Sequence, residues 1–264
     1  MTDRPTRSTP PTLHRIVIVG GGAGGLELAT LLGDRLGKTH HAQITLIDKK
    51  RTHFWKPHLH EIAAGNVNLG MHELSYMAQA HWHSFTDRVG EMTGLDRTRR
   101  VVPIAPHLDE DGEQVTPVRE IPYDTLVLAV GSQTNCFGTP GAREHAIFLD
   151  TPEEAQRFHR KLVNAMIRAQ SVVDRLEPHH LQVAIVGGGA TGVELAAELR
   201  HACKQVLRYG LRQLQGLTIG VHLVEANGRI LTALAPRIAD RALQQLCSLS
   251  IRVHVEARVA RVPG

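Results

Sequence analysis

Two stretches of this chain, IVIVGGGAGGLELATLL at 16–32 and VAIVGGGATGVELAAEL at 183–199, agree at eleven of seventeen aligned positions. Each begins with a short apolar run, Ile16 to Val19 and Val183 to Val186. Such runs are too short for a helix and carry no polar face, as a parallel strand buried on both faces requires. Each run stops at glycines spaced G-x-G-x-x-G: Gly20, Gly22 and Gly25, then Gly187, Gly189 and Gly192. In the first copy Leu26, Ala29, Leu32 and Leu36 recur at three- and four-residue steps. A helix is therefore expected to open at Ala23 inside the glycines and run to about Gly37, and its counterpart to run from Ala190 to about Tyr209.

After each helix comes another apolar run that ends in an acid. Ile44 to Ile47 stops at Asp48, 23 residues beyond Gly25, and Thr218 to Val224 stops at Glu225. A carboxylate at that strand end, about 20 residues past the glycines, is placed to hold a ribose hydroxyl. Each glycine has its own reason. The first makes the tight turn, the second lets backbone approach a pyrophosphate, and the third lets helix and strand pack closely. The phosphates then meet the amides and positive dipole end of the helix. One such motif is weak evidence, but two in succession fit an enzyme that passes a hydride between two dinucleotides, a flavin and a nicotinamide. At Glu225 a carboxylate accepts a 2′-hydroxyl and repels a 2′-phosphate, which favours NADH over NADPH, while nearby Arg229 keeps NADPH open.

The 264 residues allow two domains at about 100 to 200 residues each. The expected division is a flexible polar tail at 1–14, a first dinucleotide domain at 15–137 and a second at 138–264. The fold class is α/β: two Rossmann-like dinucleotide-binding domains with a small antiparallel β excursion in the first. That excursion is expected over 85–122, with strand-like pieces at Arg100 to Ile104 and Gln114 to Ile121 around the turn DEDG. Tyr123 to Gly131 returns to the first sheet. Thr151-Pro152-Glu153-Glu154 reads as a capping box opening a helix to about Leu176. Pro236 begins a helix over Ile238 to Leu249, and Ser250 to Glu256 and Arg258 to Val262 read as strands.

Composition removes several function classes. The net charge of +4 is spread along the chain and leaves no basic stripe for nucleic acid. Cys136, Cys203 and Cys247 form no CxxC or zinc spacing, which fits unpaired thiols in a reducing, cytoplasmic compartment. No apolar run approaches the roughly 18 residues of a membrane span. Seventeen histidines prompt a metal check. The pairs His40 and His41, His58 and His60, and His81 and His83 lack a third ligand at usable spacing, so surface and packing roles are expected and no metal.

The order GGGAGGLELA, DKKRTHFWKPHLHEIAAG, YDTLVLAVGSQTNCFGTPG, VGGGATGVELAAEL and HLVEANGRIL resembles the type II NADH dehydrogenases, single-subunit, non-proton-pumping NADH:quinone oxidoreductases. The likeness covers about residues 14–264, and WKPHLHEIAAG and AVGSQTNCFG are the stretches that narrow it. It implies that Gly20, Gly22, Ala23, Gly25 and Asp48, with the adjoining Lys49, hold the ADP half of FAD. Lys56 and Pro57 match the family's Lys-Pro pair near the isoalloxazine, and Ala129, Gly131 and Ser132 match a stretch that also touches the flavin. Gly187, Gly189, Ala190, Thr191, Gly192 and Glu225 match the NADH site. Glu194 matches a carboxylate near where nicotinamide and flavin meet, with a helix-start acid as its structural alternative; for Glu27 the structural role is expected. Phe54 and Trp55 are expected to be core aromatics, with packing over the flavin as the alternative. No cysteine pair lies in the 50s and 60s, where disulfide-reducing relatives carry theirs.

The family's chains continue past the point matched by Gly264, through a Gly-Asp flavin segment, a quinone-binding stretch and an amphipathic membrane anchor, so these residues resemble an N-terminal portion. Three readings stay open: an FAD-dependent NADH:quinone oxidoreductase; a ferredoxin- or rubredoxin-reductase-like flavoprotein; and a dinucleotide-binding protein that transfers nothing. For the first, quinone is the acceptor, contact with the inner face of the cytoplasmic membrane is peripheral, and a homodimer is an open expectation.

Overall fold

The computed structural model describes residues 12–67, 70, 73–171, 180–208 and 218–264. The tail expected over 1–14 lies almost wholly outside them, as do Tyr209 and the expected helix end near Leu176.

In chain order the elements are β1 (His14–Val19), α1 (Ala23–Leu32), β2 (Ala42–Asp48), β3 (Thr52–Phe54), α2 (Leu59–Ala64), β4 (Glu73–Ser75), α3 (Tyr76–His83) and β5 (Thr86–Val89). Then follow β6 (Val101–Ile104), β7 (His107–Leu108), β8 (Gln114–Thr116), β9 (Arg119–Pro122), β10 (Thr125–Leu128), α4 (Ala142–His145) and α5 (Pro152–Ser171). The last are β11 (His180–Val186), α6 (Ala190–Arg208), β12 (Thr218–Val224), α7 (Pro236–Ser248) and β13 (Arg252–His254). They fall into two compact units, residues 1–55 with 72–132, and residues 56–71 with 133–264. The segment 56–71, which includes α2, therefore packs with the later part of the chain although it lies within the first 137 residues.

The first unit is built on a parallel sheet in the order β10-β1-β2-β5. Side chains alternate across it, as strand geometry requires. Ile18, Ile44 and Leu46 face a layer that includes Leu26, Ala29, Tyr76 and Phe85. Val17, Val19 and Ile47 face Val102, Ile104 and Tyr123 on the opposite side. With both faces covered, the central strands β1 and β2 carry the apolar runs 16–19 and 44–47, interrupted only by the buried Thr45.

Three expectations need correction here. Thr86–Val89 is the fourth parallel strand, not part of the antiparallel excursion; its sequence TDRV carries three polar residues in a row, which the sheet edge tolerates. The excursion proper is two antiparallel pairs, β6 with β9 and β7 with β8, and Gln114–Ile121 is split between β8 and β9. The first helix is α-helical only to Leu32. It widens into a π turn over Gly33–Gly37, where a Cβ on either glycine would strike the His83 or Ser84 carbonyl.

The second unit has the parallel order β11-β12-β13. Ile185, Ile219, Val221 and Leu223 are buried, as are Leu195, Ala196 and Leu199 of α6. Arg200 of α6 donates to the carbonyls of Ile219 and Leu249, tying the helix to β12 and to the end of α7. The capping box forms as the sequence reads. The Glu154 N–H donates to Thr151 Oγ1 at 3.3 Å, and Glu154 Oε2 accepts from the N–H groups of Asp150 and Thr151. Arg258–Val262 is not a strand: the segment makes no ladder, and Val262 donates a single hydrogen bond to the Pro140 carbonyl.

One ion pair joins the start of β1 to the turn before β10. The Arg15 guanidinium donates to both Asp124 oxygens at 2.8 and 3.0 Å, and the Arg15 N–H donates to Oδ2 at 2.8 Å. The side-chain and then the backbone donors of Arg15 hold the Asp124 carboxyl well below the usual carboxylate range. A lowered carboxyl contributes stability above its unfolded pKa of about 3.9 and loses it as pH falls through the folded-state value. Asp124→Asn is thus expected to be less stable than the parent in urea titrations at pH 6 to 7. The gap should close progressively below pH 4; a gap unchanged down to the acid limit would show that the carboxylate is not responsible.

Candidate functional site

Each unit contains the same backbone device at the end of its first strand. Gly20 and Gly187 have φ of +103° and +112°, a conformation glycine adopts at no steric cost. Their N–H groups donate to the carbonyls of Ile47 and Val224, both at 2.8 Å. A Cβ on Gly25 or Gly192 would collide with the carbonyl of Gly20 or Gly187, so helix and turn approach as closely as backbone allows. Gly22 and Gly189 differ. Neither has a positive φ, and a Cβ there would meet no atom within 4 Å. Neither conformation nor protein packing demands glycine at these two positions, whereas a group approaching the backbone from outside would.

The strand-end acids act on the middle glycines. Asp48 Oδ2 accepts the Gly21 N–H at 2.6 Å, and Glu225 Oε2 accepts the Gly188 N–H at 2.7 Å. Asp48 Oδ1 also takes the Lys50 N–H, and Glu225 Oε1 takes the Asn227 N–H and Nδ2. Partial burial works to raise the Glu225 carboxyl, but the donors from Asn227 and Gly188 outweigh it and leave it below its ordinary value. Both loops therefore carry a negative charge beside an uncrowded glycine. The first turn of α1 has no side-chain cap and no acid, so its amides face the same opening.

The carbonyls of the middle glycines are held too, by groups the sequence reading did not single out. The Gly21 carbonyl accepts from Tyr76 Oη at 2.6 Å and from His53 Nδ1 at 2.9 Å. Both side chains are buried, at 2% and 6% exposure. The Gly188 carbonyl instead accepts the Leu231 N–H at 2.7 Å. Arg229 staples that loop by donating to the carbonyls of Leu231, Thr232 and Leu234. The guanidinium left open as a 2′-phosphate partner is thus engaged with its own backbone. The one signal for His53 was its place in THFWKP; Tyr76 had none, since it comes from a helix 55 residues past Gly21.

The other expected positions fall as follows. Ala129 lies against Gly20 and Gly25, and its N–H donates to the Val19 carbonyl. Gly131, with φ +70°, and Ser132 follow it out of the sheet. Lys49 is exposed beside Asp48. Ala23 opens α1, and Ala190 and Thr191 open α6. Lys56 and Pro57 begin a 3-10 turn, Lys56–His58, in the second unit. There Glu194 Oε2 lies 3.5 Å from His60 Nδ1, and Asn66 Nδ2 donates to Glu198, so α2 rests on α6 through two acids. Trp55 is not a core aromatic: it is 46% exposed, its ring edge-on to His53 at 6.1 Å, because the chain leaves β3 just before it. His58 pairs with Glu61 and His83 with Asp34. Cys136, Cys203 and Cys247 are free thiols, and burial pushes Cys203 up to about 11.

Comparison with known proteins agrees with this geometry. The family model described as pyridine nucleotide-disulphide oxidoreductase matches residues 14–264. A type II NADH:quinone oxidoreductase of Haemophilus influenzae is 39% identical over 94% of this chain and 58% of its own length. The corresponding NdhA of Mycobacterium tuberculosis is 26% identical over 94% of this chain and 51% of its own. The chain thus spans about half the length of the curated relatives it matches. Among solved structures, NDH2 of Plasmodium falciparum in complex with NADH superposes with a TM-score of 0.77 at 22% identity, over 96% of this chain and 50% of that one.

The distinct reasons for the glycines give a direct test. Gly25→Ala drives a methyl into the Gly20 carbonyl and is expected to lower stability by about 1–3 kcal/mol. Gly22→Ala, which meets nothing, is expected to stay within about 0.5 kcal/mol of the parent. Chemical denaturation of both variants checks the contrast, and equal losses would refute it.

Proposed function

We propose that this chain, which belongs to the pyridine nucleotide-disulphide oxidoreductase family, carries the two dinucleotide sites of an FAD-dependent NADH:quinone oxidoreductase that pumps no protons. The observation that carries the reading is the duplication: two glycine turns, each with an open second motif glycine, Gly22 or Gly189, and a strand-end carboxylate bonded to the loop. The relatives from Haemophilus and Mycobacterium are NADH:quinone oxidoreductases, which favours quinone as the acceptor over a ferredoxin or rubredoxin.

In this reading the first cradle, Gly20, Gly22, Ala23 and Gly25 with Asp48 and Lys49, receives the ADP half of FAD. Ala129, Gly131, Ser132, Lys56 and Pro57 serve the flavin end. The second cradle, Gly187, Gly189, Ala190, Thr191 and Gly192 with Glu225, receives NADH. The open space at Gly22 fits a pyrophosphate, which only a residue without a side chain admits to the backbone. Asp48 Oδ1, which takes only the Lys50 N–H, has capacity left to accept from a ribose hydroxyl, and Glu225 Oε1 would exchange one of its two Asn227 donors for one. FAD, when bound, supplies the chemistry that links a two-electron hydride donor to a quinone. The protein's own part is to bind, orient and discriminate. Glu194 is the carboxylate this reading gives to the reaction, and His60 Nδ1 lies 3.5 Å from its Oε2. Glu225 excludes a 2′-phosphate by like charge, and Arg229, bound to three carbonyls, offers that phosphate no compensation.

Among the described residues no helix is long and apolar enough to cross a membrane. The same reading has the protein meet a lipid-soluble quinone through peripheral contact with the inner face of the cytoplasmic membrane, and carries a homodimer as a further expectation.

Purified protein is expected to be yellow, to bleach anaerobically with NADH, and to regain its colour on adding a short-chain quinone. Protein that stays colourless after incubation with FAD and consumes no NADH would sink the proposal. Glu225→Ala is expected to shift the NADPH-to-NADH affinity ratio at least about tenfold toward NADPH, since a like-charge contact costs several kcal/mol. Competitive titration of the two nucleotides reads that ratio.

A further inference from the structure

We infer that Tyr76 and His53 are positioning residues for the first cradle: by donating together to the Gly21 carbonyl they fix the Gly21–Gly22 peptide so that its N–H serves the bound dinucleotide. This rests on the dinucleotide reading above and extends it to residues outside the glycine motif.

The argument starts from peptide geometry. A trans peptide is planar, with its C=O and N–H pointing in opposite directions, and no peptide described here is cis. Holding the Gly21 carbonyl on the side of Tyr76 and His53 therefore turns the Gly22 N–H to the other side, away from both. The peptide lies between two glycines, where nothing in the local sterics resists rotation. Unheld, it could turn over and present a carbonyl where the cradle needs a donor. A carbonyl aimed at a pyrophosphate repels it, whereas a row of N–H groups forms an anion-binding concavity.

Three contacts prevent the turn. Asp48 fixes the preceding peptide through the Gly21 N–H at 2.6 Å, and Tyr76 Oη and His53 Nδ1 fix the next one at 2.6 and 2.9 Å. A carbonyl only accepts, so His53 carries its hydrogen on Nδ1 and Tyr76 donates its hydroxyl. Burial, followed by the negative charges of Asp48 and Asp87, holds the phenol far above its ordinary range, so it stays a neutral donor. A Cβ on Gly21 would strike the Tyr76 ring, which explains why the middle position is also glycine. The second cradle holds the equivalent peptide by the backbone N–H of Leu231. The two sites thus share one geometry but depend on different parts of the chain.

That difference makes the inference testable on the full chain stripped of flavin. Tyr76→Phe removes only the hydroxyl, and His53→Leu removes the ring donor. Each is expected to weaken FAD binding about three- to tenfold, the worth of one hydrogen bond, while NADH binding to the same preparation is unchanged. His53→Asn, whose side-chain amide replaces Nδ1 as a donor, is expected to recover most of the loss. In the reciprocal arm, Arg229→Gln weakens NADH binding and spares FAD. Unchanged FAD affinity in Tyr76→Phe and His53→Leu, or equal loss of both nucleotides, overturns the inference.

Hydrogen exchange of the Gly21 amide, which Asp48 holds in the adjoining peptide of the same turn, is followed by NMR in the ligand-free protein and reads whether releasing the Gly21 carbonyl loosens that turn. Both variants are expected to speed that exchange more than tenfold while amides of the β1 core keep their protection. Should the unsubstituted chain take up no FAD, the dinucleotide reading fails, and the exchange rates still decide whether the peptide is pinned. Global loss of protection in His53→Leu would leave Tyr76→Phe, which conserves the buried shape, as the deciding variant.

Discussion

The geometry of both candidate sites depends on one hydrogen bond made twice, from the N–H of a middle glycine to a carboxylate at the end of the neighbouring strand. A glycine turn has many conformations of similar energy, and its entropy on ordering is the largest of any residue type. The carboxylate selects one of them. It does so with a charge-assisted bond, stronger than a neutral one, at a place where both strands end together because their register is parallel. The acid is thereby structural before it is functional, and its other oxygen is held by the chain just beyond it, by Lys50 in the first loop and Asn227 in the second.

From that bond the rest of each cradle follows. Fixing the turn brings the Gly20 or Gly187 carbonyl against Gly25 or Gly192, so the helix starts at a distance no side chain permits. Gly22 and Gly189 then stand open, and in the first unit the helix start carries no side-chain cap. A site of this kind needs few side chains pointed at its ligand, because backbone amides and a helix dipole supply the attraction. Its precision must come from whatever holds the backbone. In the first unit that support reaches out to Tyr76 on α3 and His53 on β3, and in the second it stays within a loop that Arg229 ties down.

The same sheet explains why the remaining chain could be read unevenly. The strands β1, β2, β11 and β12 are dominated by apolar residues and end at the glycines or at an acid, so they announce themselves. The edge strand β5, with the sequence TDRV, carries no such signal and was taken for part of the excursion. The helix α5 was legible from its cap because Thr151 and Glu154 satisfy each other locally. Trp55 was misread for the opposite reason: whether an aromatic beside a strand end is buried depends on where the chain goes next.

The sequence by itself determined the two glycine turns, the strands before them, the helices after them and the acids that close them, because glycine and acid stand only 27 residues apart in the first unit and 37 in the second. Only the tertiary structure decided what holds the Gly21 and Gly188 carbonyls, that Arg229 is occupied by its own loop, and that residues 56–71 pack with the second unit. Those facts depend on side chains and backbone groups brought together by packing, and no local spacing rule encodes a hydrogen bond between residues 21 and 76.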